Sequence, residues 1–344
     1  MDWFEQLTGF TEATGAAGYE TTRQRLEIDG NRLKSRVNGR SFGIGELELV
    51  SLAALRERVR SAPPMTGRGS FRIVTGDVRK LHAAPEYAGA LFQVASQFNL
   101  LEMVGPEYTP EKGVTIYAHD PTQGPACAIA AGAATIYRNY FAPVGDSIGQ
   151  IKHRQLDGFA ELGAAVAHGV GKPAESLWSM RNGYSMFTRN GADLMSAYVR
   201  ALDECARDIL RQRLCIGMHW DVEVTDAHAS PGPLVSQAFC SALPVSYNNT
   251  AGTRGADWQP LASLVLEAAY EATLWAAVIN ARRGSSTKVL LTLLGGGAFG
   301  NDLGWICAAM QRAIAQVAGH GLDIVLVSYG EPPVTLQQWA AQLS

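Results

Sequence analysis

The chain has 344 residues, 47% hydrophobic and 18% charged, with a net charge of −3 and a pI near 6.2. Such a composition supports one large core or two small ones, and the dispersed basic residues offer a nucleic-acid backbone no electrostatic stripe. Five scattered cysteines without a CxxC or Cys/His cluster argue against a zinc site and suit a reducing compartment. Residues 1–20 are small and polar, without the basic region and apolar core of a signal peptide. No uncharged apolar run reaches about 18 residues, so no membrane span is expected. The chain reads as cytosolic.

Arg25–Glu46 reads as a small β unit, with a hairpin turn at Asp29-Gly30-Asn31 between two alternating runs. Leu52–Val59 reads as a short helix and Ser61–Gly69 as a linker. The main domain is expected over 70–344, after an N-terminal extension over 1–69. Phe71–Val74 is a short strand leading to Gly76-Asp77-Val78. Pro85–Gln93 reads as helical, running into a strand over Leu91–Ala95. Gly105–Pro125 is a long loop and Ala126–Arg138 a helix of very small residues. Helices are expected over Ile148–Gly163 and Asp193–Arg213, so residues 143–215 form a helical insertion between strands. Met218–Val224 reads as a strand, Ser236–Pro244 is short and apolar, and Leu261–Ala281 is a long helix. Helices alternate with strands, so the class is α/β.

The C-terminal stretch Lys288–Tyr329 is the most telling. Val289–Leu294 is apolar throughout, as in a strand covered on both faces. A loop with four glycines in six residues follows, Gly295–Gly300, with Phe299 among them. Trp305, Ala308, Ala309, Arg312, Ala313 and Gln316 then have helical spacing, and Leu322–Ser328 is a second apolar strand. A strand, glycine loop and helix in this order aim backbone N–H groups and a helix N-terminus at a ligand, and a phosphate suits them. The alternative is a plain turn, which needs only one or two such glycines. The early GxGxxG of a dinucleotide-binding fold is absent, as are GxSxG, HExxH and a Walker lysine.

Four further stretches carry candidate chemistry. Asp120, Thr122, Gln123 and Gly124 precede the small-residue helix, and Asp120 is either a turn former or a carboxylate that orients water or a sugar hydroxyl. Ser96–Glu102 follows a strand, so Asn99 stands where ribose hydroxyls can be met. Glu102 is either a surface residue or, if buried, an acid with a raised pKa. Asp226 and His228 follow another strand end and are candidate catalysts, against the commoner structural use of a lone His. Gln237, Tyr247 and Asn248 are polar groups with no evident secondary-structure task. Cys240 reads as inert core.

With these pieces in order, the chain resembles the macrodomain superfamily of ADP-ribose binders and hydrolases. Gly76-Asp77-Val78 is similar to the family's Gly-Asp-Ile element, Val94–Asn99 to its strand-end motif, and Gly296, Gly297, Ala298, Phe299, Gly300 and Asn301 to its second phosphate loop. Thr122–Phe141 and Gln237–Asn248 resemble a divergent branch that includes a bacterial effector removing ADP-ribose from ubiquitin arginine. The resemblance implies a three-layer α/β/α mixed sheet with a helical insertion and a small N-terminal β unit. It also implies a cytoplasmic mono-ADP-ribosyl hydrolase with an arginine linkage favoured, ubiquitin as partner, and neither cofactor nor metal. Asp77 would meet adenine, the Thr122–Gly124 and Gly296–Gly300 loops the diphosphate, and Asn99 and Phe299 the distal ribose; Val78 and Asn301 are ligand-binding candidates as members of the first and last of these motifs. Asp120 leads the catalytic candidates, followed by Asp226, Glu102 and His228. The family's triple-glycine first loop is replaced by Asp120–Gly124, and its first strand-end Asn by Ser96. A non-catalytic ADP-ribose reader and another enzyme of NAD-derived nucleotides remain as alternatives.

Overall fold

The computed structural model describes residues 1–248 and 255–343. The chain opens with helices α1 (Trp3–Thr8) and α2 (Gly15–Gln24) and a three-stranded antiparallel sheet of β1 (Leu26–Asp29), β2 (Arg32–Ser35) and β3 (Ser41–Gly43). Next come β4 (Glu46–Ser51), α3 (Leu52–Arg60), β5 (Ser70–Thr75), α4 (Val78–Ala83), β6 (Leu91–Ala95), α5 (Gln123–Ala130) and α6 (Gly132–Tyr140). Residues 143–211 contribute the short pair β7 (Pro143–Val144) and β8 (Ser147–Ile148), then α7 (Ala160–Val170) and α8 (Ala174–Leu177). They continue with the hairpin β9 (Trp178–Arg181) and β10 (Tyr184–Phe187), then α9 (Arg189–Ala201) and α10 (Glu204–Arg211). The chain closes with β11 (Cys215–Glu223), β12 (Leu234–Cys240), α11 (Val245–Asn248), α12 (Gly255–Arg282), β13 (Lys288–Leu291), α13 (Leu303–Gln316), β14 (Asp323–Ser328) and α14 (Val334–Ala341).

Seven strands form one mixed sheet in the order β4-β11-β12-β6-β13-β14-β5. The five from β12 to β5 are parallel, while β11 runs antiparallel to both its neighbours. The apolar runs at 91–95, 289–291 and 324–326 take its centre because only strands covered on both faces bury such sequences without waste. Leu91, Val289, Leu291 and Ile324 face one core with α3, α9, α12 and α13; Phe92, Val94, Leu290 and Val325 face the other with α4, α5 and α6. The result is the three-layer α/β arrangement with a mixed sheet. The segment assigned to an N-terminal extension reaches into this body, because β4 pairs with β11 in the large sheet. Its remaining part, α1 to β3, packs on α6 through Phe4, Leu7, Leu33 and Ile136.

The long helix α12 has the length and hydropathy of a membrane span, but 78% of its apolar window is buried inside the protein. It is the central helix of the larger core. All five cysteines are unpaired.

Several elements depart from the local reading. The small-residue helix is two helices meeting at Ala131, where φ is −112° and ψ 59°. There Thr225 Oγ1 accepts from the Gly132 N–H, replacing a helical bond. Asp193–Arg213 likewise divides, because Asp203 caps a new helix through the Ala206 N–H. The helix expected over Ile148–Gly163 forms only from Ala160, since Gly149 adopts φ +83° and Asp157 bonds the Phe159 N–H. Pro85–Gln93 holds a single 3-10 turn, Pro85–Tyr87. The β9–β10 hairpin was not anticipated; its turn, Asn182-Gly183, has φ +48° and +82°, which glycine and asparagine tolerate.

Candidate active site

The sheet splits at its carboxyl edge. β13 pairs with β6 only through Val289 and Leu290, then veers away. The freed edge of β6 is completed by a side chain: Gln123 Oε1 accepts from the Ala95 N–H and its Nε2 donates to the Gln93 carbonyl. On the other lip, Gln93 Oε1 accepts from the Thr292 N–H and Tyr270 Oη from the Leu294 N–H. The expected strand Val289–Leu294 therefore stops at Leu291 although its apolar sequence continues. A cleft of about 750 Å³, counting its open mouth, fills the split, within the ~300–1,000 Å³ typical of small-molecule sites.

Five chain segments line this cleft. After β6 come Ser96, Gln97, Glu102 and Met103; before and at the start of α5 come Asp120, Thr122, Gln123 and Gly124. The β13–α13 loop supplies Gly295, Gly297, Ala298 and Phe299, and Tyr184 and Tyr247 close the side. The rings of Tyr184, Tyr247 and Phe299 lie mutually 5.2–5.8 Å apart. Among the described residues, no Lys or Arg lines the cleft. Anion-binding capacity comes instead from backbone. Thr122 makes no side-chain cap on α5, and among the described residues the N–H groups of Gly297, Ala298 and Phe299 find no protein acceptor. Free N–H groups at a helix start and in a glycine loop are the setting in which phosphate oxygens are held.

Glu102 is the buried acid of the cleft, 2% exposed, with Oε1 unpartnered. Burial pushes its carboxyl up to about 8, and the Asp120 charge adds to the rise; Ser96 and the Arg138 guanidinium oppose it. A β-carbon on Gly124 would overlap the Ala95 carbonyl and Glu102 Oε2 and lie 2.8 Å from Glu102 Cδ. Only glycine lets α5 enter the split this closely. The main chain around Glu102 is tied from several sides. Its N–H donates to Tyr117 Oη, the Met103 N–H to Gln97 Oε1, and Tyr184 Oη to the Met103 carbonyl. The β9–β10 hairpin reaches beneath this loop, where the Gly183 carbonyl accepts from the Phe98 N–H. Asp120 accepts from the Thr122 N–H at 2.9 Å, the turn-forming use, while remaining half-exposed in the cleft. Glu12 steadies the approach to Asp120: its buried carboxylate accepts from the Val114 and Thr115 N–H groups and from Tyr140 Oη.

The fold thus gathers Glu102, Asp120, Thr122, Gln123, Gly124, Gly297, Ala298 and Phe299 around one cleft, with Gln123 mainly completing the sheet. Gly296 and Gly300 belong to the same loop but are not in the lining. Six other expected residues lie outside the cleft lining. Asn99 is buried beneath its loop, bonding the Leu101 N–H and Gln155, and does not reach the cleft. Asn301 donates to the Leu243 and Gly295 carbonyls and pins the glycine loop from below. Val78 is core. Asp226 pairs with Arg79, and His228 is exposed beside it in sequence. Both follow β11, whose antiparallel direction carries its carboxyl end to the opposite edge of the sheet. Asp77 caps α4 by accepting from the Arg79 N–H, at the same edge as the cleft but out on β5.

The sequence reading gave no role to Tyr184, because the hairpin that carries it was missed. Tyr247 was noticed without a role; it faces Phe299, while Asn248 latches the hairpin by accepting from the Phe187 N–H. Gln237 is structural, donating to the Cys127 carbonyl. Cys240 is core, its thiol pushed up to about 12 by burial. Among the described residues no His/Cys/Asp/Glu group is arranged to hold a metal ion.

No protein-family model and no curated protein matches the chain. Similar solved structures include the poly(ADP-ribose) glycohydrolase of Thermomonospora curvata, at 14% identity over 96% of this chain and 97% of that one, with a TM-score of 0.44. The Deinococcus radiodurans poly(ADP-ribose) glycohydrolase in complex with ADP-ribose is similar at 14% identity over 87% and 94%, TM-score 0.45. The T. curvata protein bound to the inhibitor ADP-HPD gives 14% over 94% and 96%, TM-score 0.42. These findings overturn the placement in a divergent macrodomain branch, since the similar structures are poly(ADP-ribose) glycohydrolases. These structures show neither the ubiquitin partner nor the arginine linkage.

Proposed function

We propose that this chain is a glycohydrolase that seats an ADP-ribosyl group in the cleft and hydrolyses the bond at its anomeric carbon. The observation that carries this reading is a buried carboxyl, Glu102, with Oε1 unpartnered, set between a helix N-terminus without a side-chain cap and a loop whose N–H groups find no acceptor among the described residues; burial raises its pKa and so favours the protonated form. The diphosphate would take its hydrogen bonds from the Gly297–Phe299 amides and the first turn of α5. Phe299 and Tyr247 would cover the distal ribose.

In the reaction Glu102 gives its proton to the leaving atom as the anomeric bond breaks, and positive charge develops on the sugar. The Asp120 carboxylate faces that charge and orients water. The water adds to the anomeric carbon and its surplus proton returns to Glu102, restoring the acid. A neutral acid suits a leaving alcohol oxygen, which departs poorly without a proton. A carboxylate leaving group needs none, and a glycosylated guanidinium already carries one. The bond favoured by this chemistry is therefore an O-glycoside, between two ADP-ribose units or to a hydroxyl side chain. A reader module has no use for a buried acid at the mouth of its ligand, which favours the enzyme.

The test is release of free ADP-ribose from poly(ADP-ribose), from a serine-linked ADP-ribosyl peptide and from an arginine-linked one, with Asp120→Ala in parallel. Turnover of an O-linked substrate by the wild type, lost in Asp120→Ala while ADP-ribose affinity is kept, is the expected result. Calorimetric binding of ADP-ribose without turnover of any substrate would replace the enzyme by a reader. Absence of binding would remove ADP-ribose from the site.

A further inference from the structure

The stretch Thr122–Phe141 contains a residue that the cleft chemistry leaves unexplained. Arg138, on α6, is fully buried and hydrogen-bonds no carboxylate. Its Nε donates to the Leu100 carbonyl at 3.1 Å, its Nη2 to Thr135 Oγ1 at 2.9 Å, and its Nη1 lies 3.3 Å from His219 Nδ1. The guanidinium sits over the Phe239 ring, 3.8 Å from the centroid. A guanidinium taken this far from water is costly unless its donors are used; Nε is spent on the Leu100 carbonyl and the Nη groups anchor the side chain to its own helix and to β11.

Leu100 needs holding. Its φ is +63°, in the left-handed region where a branched side chain is strained. Its side chain is seated on Gly217 of β11, where a β-carbon would come within 2.9 Å of Leu100 Cγ. Gln150 Nε2 braces the same turn by donating to the Asn99 and Arg138 carbonyls. Two residues beyond Leu100 stands Glu102. We propose that Arg138 is a positioning residue for Glu102: by holding the Leu100 carbonyl it fixes the strained turn that aims the carboxyl into the cleft, and its buried positive charge acts on that carboxyl.

The other titratable groups facing Glu102 are Asp120 from the cleft, Tyr117 beneath it, Cys127 on α5 and Tyr184 on the hairpin. Arg138 is the group among them whose charge favours the ionised carboxyl. Desolvation lowers Arg138 to about 10, so it stays charged at neutral pH. His219 beside it is kept neutral by burial and by the Arg138 charge. The proposal rests on the glycohydrolase reading, in which Glu102 must be protonated to act.

The experiment compares wild type, Arg138→Lys and Arg138→Met in two readouts. One is kcat and KM against pH on the O-linked substrate; the other is the ¹³C carboxyl titration of Glu102 by NMR, assigned with Glu102→Gln. Met removes the charge and the fork; Lys loses the fork and holds its charge less firmly in the same desolvated site. Both variants are expected to lose about 10²-fold in kcat with little change in KM, as for a misplaced catalytic group. In Arg138→Met the Glu102 midpoint moves to higher pH by about one pH unit, whereas Arg138→Lys moves it less. A merely structural role would lower the folded fraction and leave the midpoint and kcat per folded molecule unchanged, which overturns the proposal. Full kcat in Arg138→Lys overturns the positioning claim, and this variant carries the test if Arg138→Met does not fold. If the wild type turns over no substrate the glycohydrolase reading falls, and the NMR midpoints still decide whether Arg138 acts on Glu102.

Discussion

Replacing Glu102 by Gln should raise stability and abolish turnover together, and the gain should depend on pH. In the folded chain the carboxyl holds its proton up to about 8, against an ordinary value of 4.5. Below the ordinary value both folded and unfolded states are protonated, and the group's contribution to stability is fully present. As pH rises from 4.5 towards 8 the unfolded chain releases its proton while the folded chain retains it, so stability falls; above about 8 the loss is complete. At 1.36 kcal/mol per unit the ceiling on this loss is about 5 kcal/mol. Coupling to Arg138 and water at the cleft reduce it to roughly 2–5 kcal/mol. Glutamine has no proton to lose, so its advantage over the wild type should be small near pH 5, where an amide with an unpaired buried atom replaces a neutral acid at similar cost. It should widen by about 2–5 kcal/mol near pH 8.5. Urea unfolding at the two pH values measures this, and product release measures turnover, which should fall about 10²–10⁴-fold. A stability difference that stays constant between the two pH values would refute the reasoning, because it would mean that the carboxyl ionises in the folded chain as it does in water.

Four further outcomes are expected. Gly124→Ala places a methyl where Glu102 Cδ lies 2.8 Å away, so the carboxyl or the first turn of α5 must move; a thermal melt should show a loss of about 1–3 kcal/mol, and kcat should drop about 10²-fold. Phe299→Ala removes one ring of the aromatic trio at the half-buried rim; calorimetry should find ADP-ribose binding weaker by about 1–3 kcal/mol, the scale of one stacking contact, with the melting temperature nearly unchanged. Gly183→Ala acts at a distance from the cleft lining. Its residue has φ +82°, and a β-carbon there would meet Asn99 Cγ at 2.6 Å and Gln97 Cβ at 2.7 Å. Turnover should fall along with stability as the Glu102 loop is displaced, and a variant that melts lower yet keeps full kcat would separate the hairpin from the site. In the wild type, kcat should decline as pH rises through about 8, since the acid must be protonated to act.

Local sequence determined what depends on neighbours along the chain. The apolar runs Val289–Leu294 and Leu322–Ser328 dictate covered strands, although the first stops at Leu291, and the glycine loop after it dictates exposed N–H groups. Asp120 before a proline dictates a turn into α5. Those features were legible, and with them the α/β class and the two loops that meet at the cleft. Tertiary structure decided the rest. The direction of β11 is set by its partners β4 and β12, and that direction removes Asp226 and His228 from the site although their strand-end pattern equals that of Glu102. Whether Glu102 faced water or the interior was undetermined by the sequence Leu101–Val104; burial beneath Tyr117, Gly124 and the β9–β10 hairpin makes it an acid. Gln123, which read as a ligand for diphosphate, completes the edge of β6 because β13 turns away, and no sequence signal marks that divergence. Tyr184 and Arg138 lie far from the strand-end motifs along the chain and act on the site through a hairpin and a strained carbonyl. Contacts of that separation are fixed by how the layers pack, since side chains remote in sequence acquire a common environment only when the core forms.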